Sequence, residues 1–202
     1  MASPAADRAT AAAINLVAND LPGWTPSRGS DDTVDASDVQ TAACMGAPNP
    51  RVTEDANVNS MSFDEGPTEV SSSVDFVRTR ADSLDDLRAF TGAKITSCLQ
   101  REGSTQLSAQ LPKGTTVDSI TVAHMRPPSL LRDGFALRLT VDLVVPQHGL
   151  VTVSADDLGF VSGRAEVGLT VVQTQGTPSA SFERYLLSVL ETRTQEQGTR
   201  TA

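Results

Sequence analysis

Phe135, Leu137, Leu139, Val141, Leu143 and Val145 alternate with Ala136, Arg138, Thr140 and Asp142 without interruption. A period of two puts the apolar set on one face of an extended strand and the polar set on the other. A strand of this kind buries one face and pairs antiparallel, since parallel strands covered on both faces read as continuous apolar runs. The chain is therefore expected to contain an antiparallel sheet.

Further strands are expected around it. Asn57 to Phe63 is a weak candidate. Glu69 to Arg78 is stronger, with Val70, Ser72, Val74 and Phe76 facing one way and Ser71, Ser73 and Asp75 the other. Val117 to Arg126 alternates and stops at Pro127-Pro128. Pro146-Gln147-His148-Gly149 turns the chain into Leu150 to Ser154. Phe160-Val161, a Ser162-Gly163 turn and Arg164 to Thr174 read as a hairpin.

Three segments carry helical spacing. Residues 5–18 are alanine-rich and stop at Leu21-Pro22-Gly23-Trp24. Trp24 is the only tryptophan and is expected as a packing anchor. Ala81 to Arg101 places Leu84, Leu87, Ile95, Cys98 and Leu99 on one stripe, with Gly92 expected to break or kink the helix. Thr177 and Pro178 fit an N-cap and first helical position, and Phe182, Leu186, Val189 and Leu190 form the stripe that follows. The expected fold is a single α+β domain. A twisted antiparallel sheet of about five to six strands packs against N-terminal, middle and C-terminal helices, which cover one side more fully than the other. Residues 1–4 are expected to be disordered or an added start, 5–194 the domain, 25–50 a long polar loop inside it, and 195–202 a frayed tail.

Composition excludes several functions. The 202 residues carry 25 Asp+Glu against 16 Lys+Arg, a net charge of −9, which opposes counterion release on nucleic acid. Eight aromatics, unclustered, offer bases or sugars little to stack on. No apolar run is long enough to span a bilayer as a helix. The start Met-Ala-Ser-Pro lacks the basic and apolar regions of a secretory signal. Neither a nucleophile elbow nor a phosphate-cradling loop occurs, and no cofactor is expected.

No catalytic and no metal-ligating residue is assigned, and binding residues stay unassigned. His124 ends a strand and His148 lies in a turn, neither beside a nucleophile or carboxylate in a known motif, so both read as structural or solvent-exposed. Asp31, Asp32, Asp35 and Asp38, and the pair Asp156-Asp157, read as solvated loops, since they lack the ligand alternation of a calcium loop. Cys44 and Cys98 are too far apart in sequence for a Cys-x-x-Cys pair. Two readings stay open for them: a disulfide, or two buried thiols as in cytosolic proteins. A Cys2His2 zinc site would need all four residues to converge.

Several short motifs combine in one order. A helix leads into Asp20-Leu21-Pro22-Gly23-Trp24, a polar loop reaches Cys44-Met45-Gly46, and a strand Val70 to Phe76 leads to a helix ending in Cys98-Leu99. Strands around Asp157-Leu158-Gly159-Phe160-Val161-Ser162-Gly163-Arg164 precede a last helix ending near Arg193. This layout resembles small actinobacterial extracytoplasmic proteins of unknown function, mostly lipoproteins. It is also similar to the extracellular sensor domains of PknH-type serine/threonine kinases. Those domains often carry a second disulfide and a Trp before the helix cysteine. Ile95 and Thr96 stand in that neighbourhood here, which favours the lipoprotein-like group.

The resemblance implies a Cys44–Cys98 disulfide, an extracytoplasmic location, and a signal peptide or lipobox ahead of Met1. It further implies a non-enzymatic binding or sensor-like domain for a small molecule, lipid or cell-envelope fragment, with membrane association only through a removed anchor. An adaptor acting through a protein surface and a hydrolase with an unrecognised site are the alternatives.

Overall fold

The computed structural model describes residues 3–29, 33, 34, 36–128 and 133–200. Asp31, Asp32 and Asp35 of the first acidic run lie outside the described residues. The fold is α+β, as expected. Six α-helices surround an antiparallel sheet of eight strands among the described residues, two more than the upper expectation.

The helices are α1 (Pro4–Ile14), α2 (Ala36–Met45), α3 (Pro50–Thr53), α4 (Arg80–Thr91), α5 (Lys94–Gln110) and α6 (Ala180–Arg200). The strands are β1 (Thr25–Ser27), β2 (Glu54–Asn59), β3 (Ser62–Glu65), β4 (Thr68–Val77), β5 (Thr116–His124), β6 (Gly134–Val145), β7 (Gly149–Ser162) and β8 (Ala165–Thr174). Their order is β1-β3-β4-β8-β7-β6-β5, and β2 pairs with the part of β4 that β3 leaves open.

Local chemistry explains most boundaries. Ser3 caps α1 by accepting from the Ala6 amide, and Pro4 opens the helix, so it starts inside the segment expected to be loose. Thr79 and Asp82 form a reciprocal capping box at the start of α4. Gly92 ends α4 as expected, and α5 restarts at Lys94 and runs past Arg101 to Gln110. At the other end, α6 continues past Gln195 to Arg200, where fraying was expected.

Two expectations need correction. The stretch 25–50 is not one loop: it holds β1, all of α2 and the start of α3. A ten-residue helix such as α2 is marginal by propensity alone, and it is held by burial of Ala42 and Met45 and by covalent attachment to α5. Secondly, β7 is one strand through Asp156 and Asp157, so this acidic pair sits in the sheet rather than in a solvated loop. Helices cover both faces of the sheet. Ala136 belongs to the core under α1 and α6, while its neighbour Leu137 belongs to a second core with Met45, Ile95 and Cys98.

Side-chain ties fix the first layer. Arg164 donates to Asp7 of α1 at 2.9 Å and to Asp55 of β2 at 2.8 Å. Arg193 of α6 donates to Asp20 at 2.6 Å and to the Asn15 carbonyl at 2.6 Å. Trp24 stacks on Phe182, with ring centroids 5.2 Å apart, which is the anchoring role expected of it.

Candidate functional site

Alternation carries the polar residues of β4 and β8 to the face that α2, α4 and α5 cover. Buried polar faces need partners or space. Here the helices stand off the sheet and leave a pocket of about 740 Å³. Six carboxyl groups line it: Asp38 of α2, Glu54 and Asp75 of β2 and β4, Asp86 of α4, Asp157 of β7 and Glu166 of β8. No lysine, arginine or histidine is among the lining side chains. The opposite wall is apolar, with Met45, Pro48, Phe90 and Leu99.

The carboxyls fall into two places. Asp75 and Glu166 are direct partners across β4 and β8, and Asp86 shares a hydrogen bond with Glu166 from α4 above them. Glu54 belongs to this end, since its charge acts on Glu166. Asp157 stands apart. Its register partner is Thr170, four residues along β8 from Glu166, which is about 14 Å at the usual rise of a strand.

Gly159 and Gly168 face each other midway between the two ends. The missing side chain of Gly159 leaves room for the ring of Phe135, which a Cβ there would meet at 2.5 Å, and that of Gly168 leaves room for the Ser73 hydroxyl, which a Cβ would meet at 2.6 Å. Phe135 stacks on Phe90, with centroids 4.6 Å apart, and Phe90 lines the passage between the acidic ends.

Electrostatics follow from this arrangement. Burial pushes Asp157 up to about 7, with no further cause. Burial first, then the charges of Asp38 and Asp86, push Glu54 up to about 7. Burial raises Asp86, with the charges of Asp82 and Asp85 adding to it, and burial followed by the charges of Asp86, Asp75 and Glu54 raises Glu166; the hydrogen bond between the two lowers Asp86 and raises Glu166. Buried atoms Oε2 of Glu54 and Oε1 of Glu166 have no hydrogen-bond partner. Asn57 hydrogen-bonds Glu54, and among the described lining residues no cationic side chain offsets the carboxyls.

The opposite face treats its acids differently. Asp156 is fully buried and accepts from Arg138 Nε at 2.6 Å, with Glu183 of α6 beside them. That cluster closes a packed interface and opens into none of the pockets.

Cys44 and Cys98 form a disulfide, with Cα atoms 5.9 Å apart, joining α2 to α5. It ties the pocket roof to its wall. His124 and His148 are exposed, at opposite ends of the β5–β6 pair, and neither lines the pocket. The four residues of a Cys2His2 site therefore do not converge. Among the described residues no group of three or more His, Cys, Asp or Glu is arranged to hold a metal ion. Sequence reasoning reached Cys44 and Cys98, read Asp38 and Asp157 only as solvated-loop acids, and did not reach the pocket, whose acids are spread from Asp38 to Glu166 with no spacing to link them.

No protein-family model and no curated protein matches the chain. Among solved structures, it is similar to the crystal structure of the extracellular domain of PknH from Mycobacterium tuberculosis, with 11% identity, 93% of this chain and 96% of that chain covered, and a TM-score of 0.49.

Proposed function

We propose that this chain is a non-catalytic, extracytoplasmic binding domain of the sensor-like kind, and that its small-molecule ligand enters the pocket between the sheet and α2, α4 and α5. The pocket carries the reading. Its 740 Å³ lie within the range of small-molecule sites, and an apolar wall faces convergent polar groups with perturbed proton affinities. Such groups cost stability where they stand, which is the signature of residues kept for a purpose other than folding.

The disulfide supports the compartment, because such bonds persist in oxidising surroundings and are rare in the cytosol. Attachment to the envelope through a lipid belongs to the same proposal and is tested by fractionating cells that make the protein.

Native mass spectrometry of protein purified from its source tests the reading. The expected result is a co-purified small molecule that Thr41→Trp, which fills the pocket mouth, excludes. Failure to retain or bind any envelope component, with the fold intact, overturns it.

A further inference from the structure

The two acidic ends differ from an ordinary charged patch. Asp157 lies deep on β7, lines the pocket, and accepts no hydrogen bond or ion pair from a described residue. At the other end, Oε1 of Glu166 and Oε2 of Glu54 are buried and unpartnered. A buried acceptor without a donor costs free energy that a ligand with N–H groups would recover. Phe90 lines the pocket together with both acidic ends, and Leu87 and Phe135 border a smaller cavity of about 140 Å³ that shares Phe90, Asp157 and Glu166 with it.

We propose that the pocket takes a linear aliphatic amine with an ammonium group at each end, a diamine or polyamine, with one terminal ammonium at Asp157, the other among Asp75, Asp86 and Glu166, and its chain along Phe90. This rests on the reading of the pocket as the ligand site and names the ligand class. The sheet register sets the length. The acidic ends stand about 14 Å apart along the strands, and salt-bridge reach at each end leaves the two cations roughly 10 Å apart. A single-charge amine satisfies one end only. A divalent metal ion cannot bridge both, and the described acids offer it no ligand cage.

Binding is coupled to protons. The groups facing the ligand are Asp38 from α2, Glu54 from β2, Asp75 from β4, Asp86 from α4, Asp157 from β7 and Glu166 from β8, with Asp82 and Asp85 acting on Asp86. All are acids, and those at the floor must give up protons as the ammonium groups arrive. Affinity therefore rises as pH rises, and protons are released on binding.

Titration calorimetry of the full chain tests this, using spermidine, hexylamine, hexanol, adipate and calcium chloride as probes at pH 6 and pH 8. Spermidine is expected to bind at least about tenfold tighter than hexylamine, more tightly at pH 8 than at pH 6, with proton release visible as a heat that depends on the buffer. Asp157→Asn is expected to reduce spermidine to the hexylamine level, while Asp118→Asn on the distant strand β5 leaves it unchanged. Circular dichroism confirms folding of each variant, and Glu166→Gln provides a second test at the other end. Equal loss in Asp157→Asn and Asp118→Asn overturns the proposal, because it reduces binding to attraction by net charge. Calcium binding in place of spermidine overturns it too. Binding of hexanol or adipate that Thr41→Trp blocks overturns the dication but keeps the pocket, whereas silence of all five probes contradicts both.

Discussion

Asp156 and Asp157 are neighbours on β7 that face opposite sides of the sheet and meet opposite fates. Asp156 is fully buried against the guanidinium of Arg138, and Asp157 faces the pocket with no partner among the described residues. One peptide bond thus separates an acid that holds the fold together from an acid that waits for a cation.

The first prediction concerns Asp156. Removing one partner of a buried ion pair leaves an uncompensated charge, which costs more than the pair contributes. Arg138→Met is therefore expected to destabilise by on the order of 3 kcal/mol in urea unfolding. Burial of Glu183, then its hydrogen bond to Asp156 and the charge of Asp156, push Glu183 up to about 8, so it stands beside Asp156 as a protonated acid. Asp156→Asn in the Arg138→Met background is expected to recover most of the loss.

Stability should fall as pH rises. Burial raises the proton affinity of Asp157 and Glu54 from ordinary carboxylate values to about 7, so the native state keeps protons that the unfolded chain releases between about pH 4 and 5. Protons bound preferentially by the native state stabilise it fully below the unfolded values, and that contribution is lost as pH climbs towards 7 and above. The melting temperature is expected to be higher at pH 5 than at pH 8 by roughly 5 °C. Asp157→Asn removes one titrating group, which flattens the profile and raises the melting temperature at pH 8.

The disulfide closes a loop of 54 residues and tethers α2, the pocket roof. In the chain-entropy model such a closure stabilises by about 4 kcal/mol. Reduction, or the paired change Cys44→Ser and Cys98→Ser, should lower stability by that order. Hydrogen exchange should quicken in α2 before it does in β6 to β8, because a short helix released from its tether opens locally.

Gly159 is expected to tolerate no side chain. A Cβ there would lie 2.5 Å from the Phe135 ring and 2.8 Å from the Val167 carbonyl, and the carbonyl is fixed in the sheet. Gly159→Ala should cost about 1–3 kcal/mol through overpacking and should disturb the Phe90–Phe135 stack, seen as shifted ring signals in NMR spectra.

Much of the sheet was legible in local pattern. The alternation from Phe135 to Val145 is β6, and Gly92 marks the gap between α4 and α5. The residues were silent where structure depends on distant partners. Two adjacent acids interrupt the apolar alternation of β7, so Leu150 to Ser154 and Phe160-Val161 read as separate pieces. Arg138 and the pocket, which accommodate those acids, are supplied by other strands and helices. Likewise α2 is short and polar in composition, and its burial and covalent tether are tertiary facts. The pocket was the least legible feature. Asp75 and Glu166 meet only because β4 and β8 pair in one register, and no spacing in the chain records that.

Carbon-13 NMR of the side-chain carboxyls across pH, with and without spermidine, tests the central claim most directly. The account predicts that Asp157 and Glu54 stay protonated past pH 6, and that spermidine at pH 7 drives both Asp157 and Glu166 to the ionised signal. Carboxyls already ionised by pH 5, with signals that spermidine leaves unmoved, would contradict it.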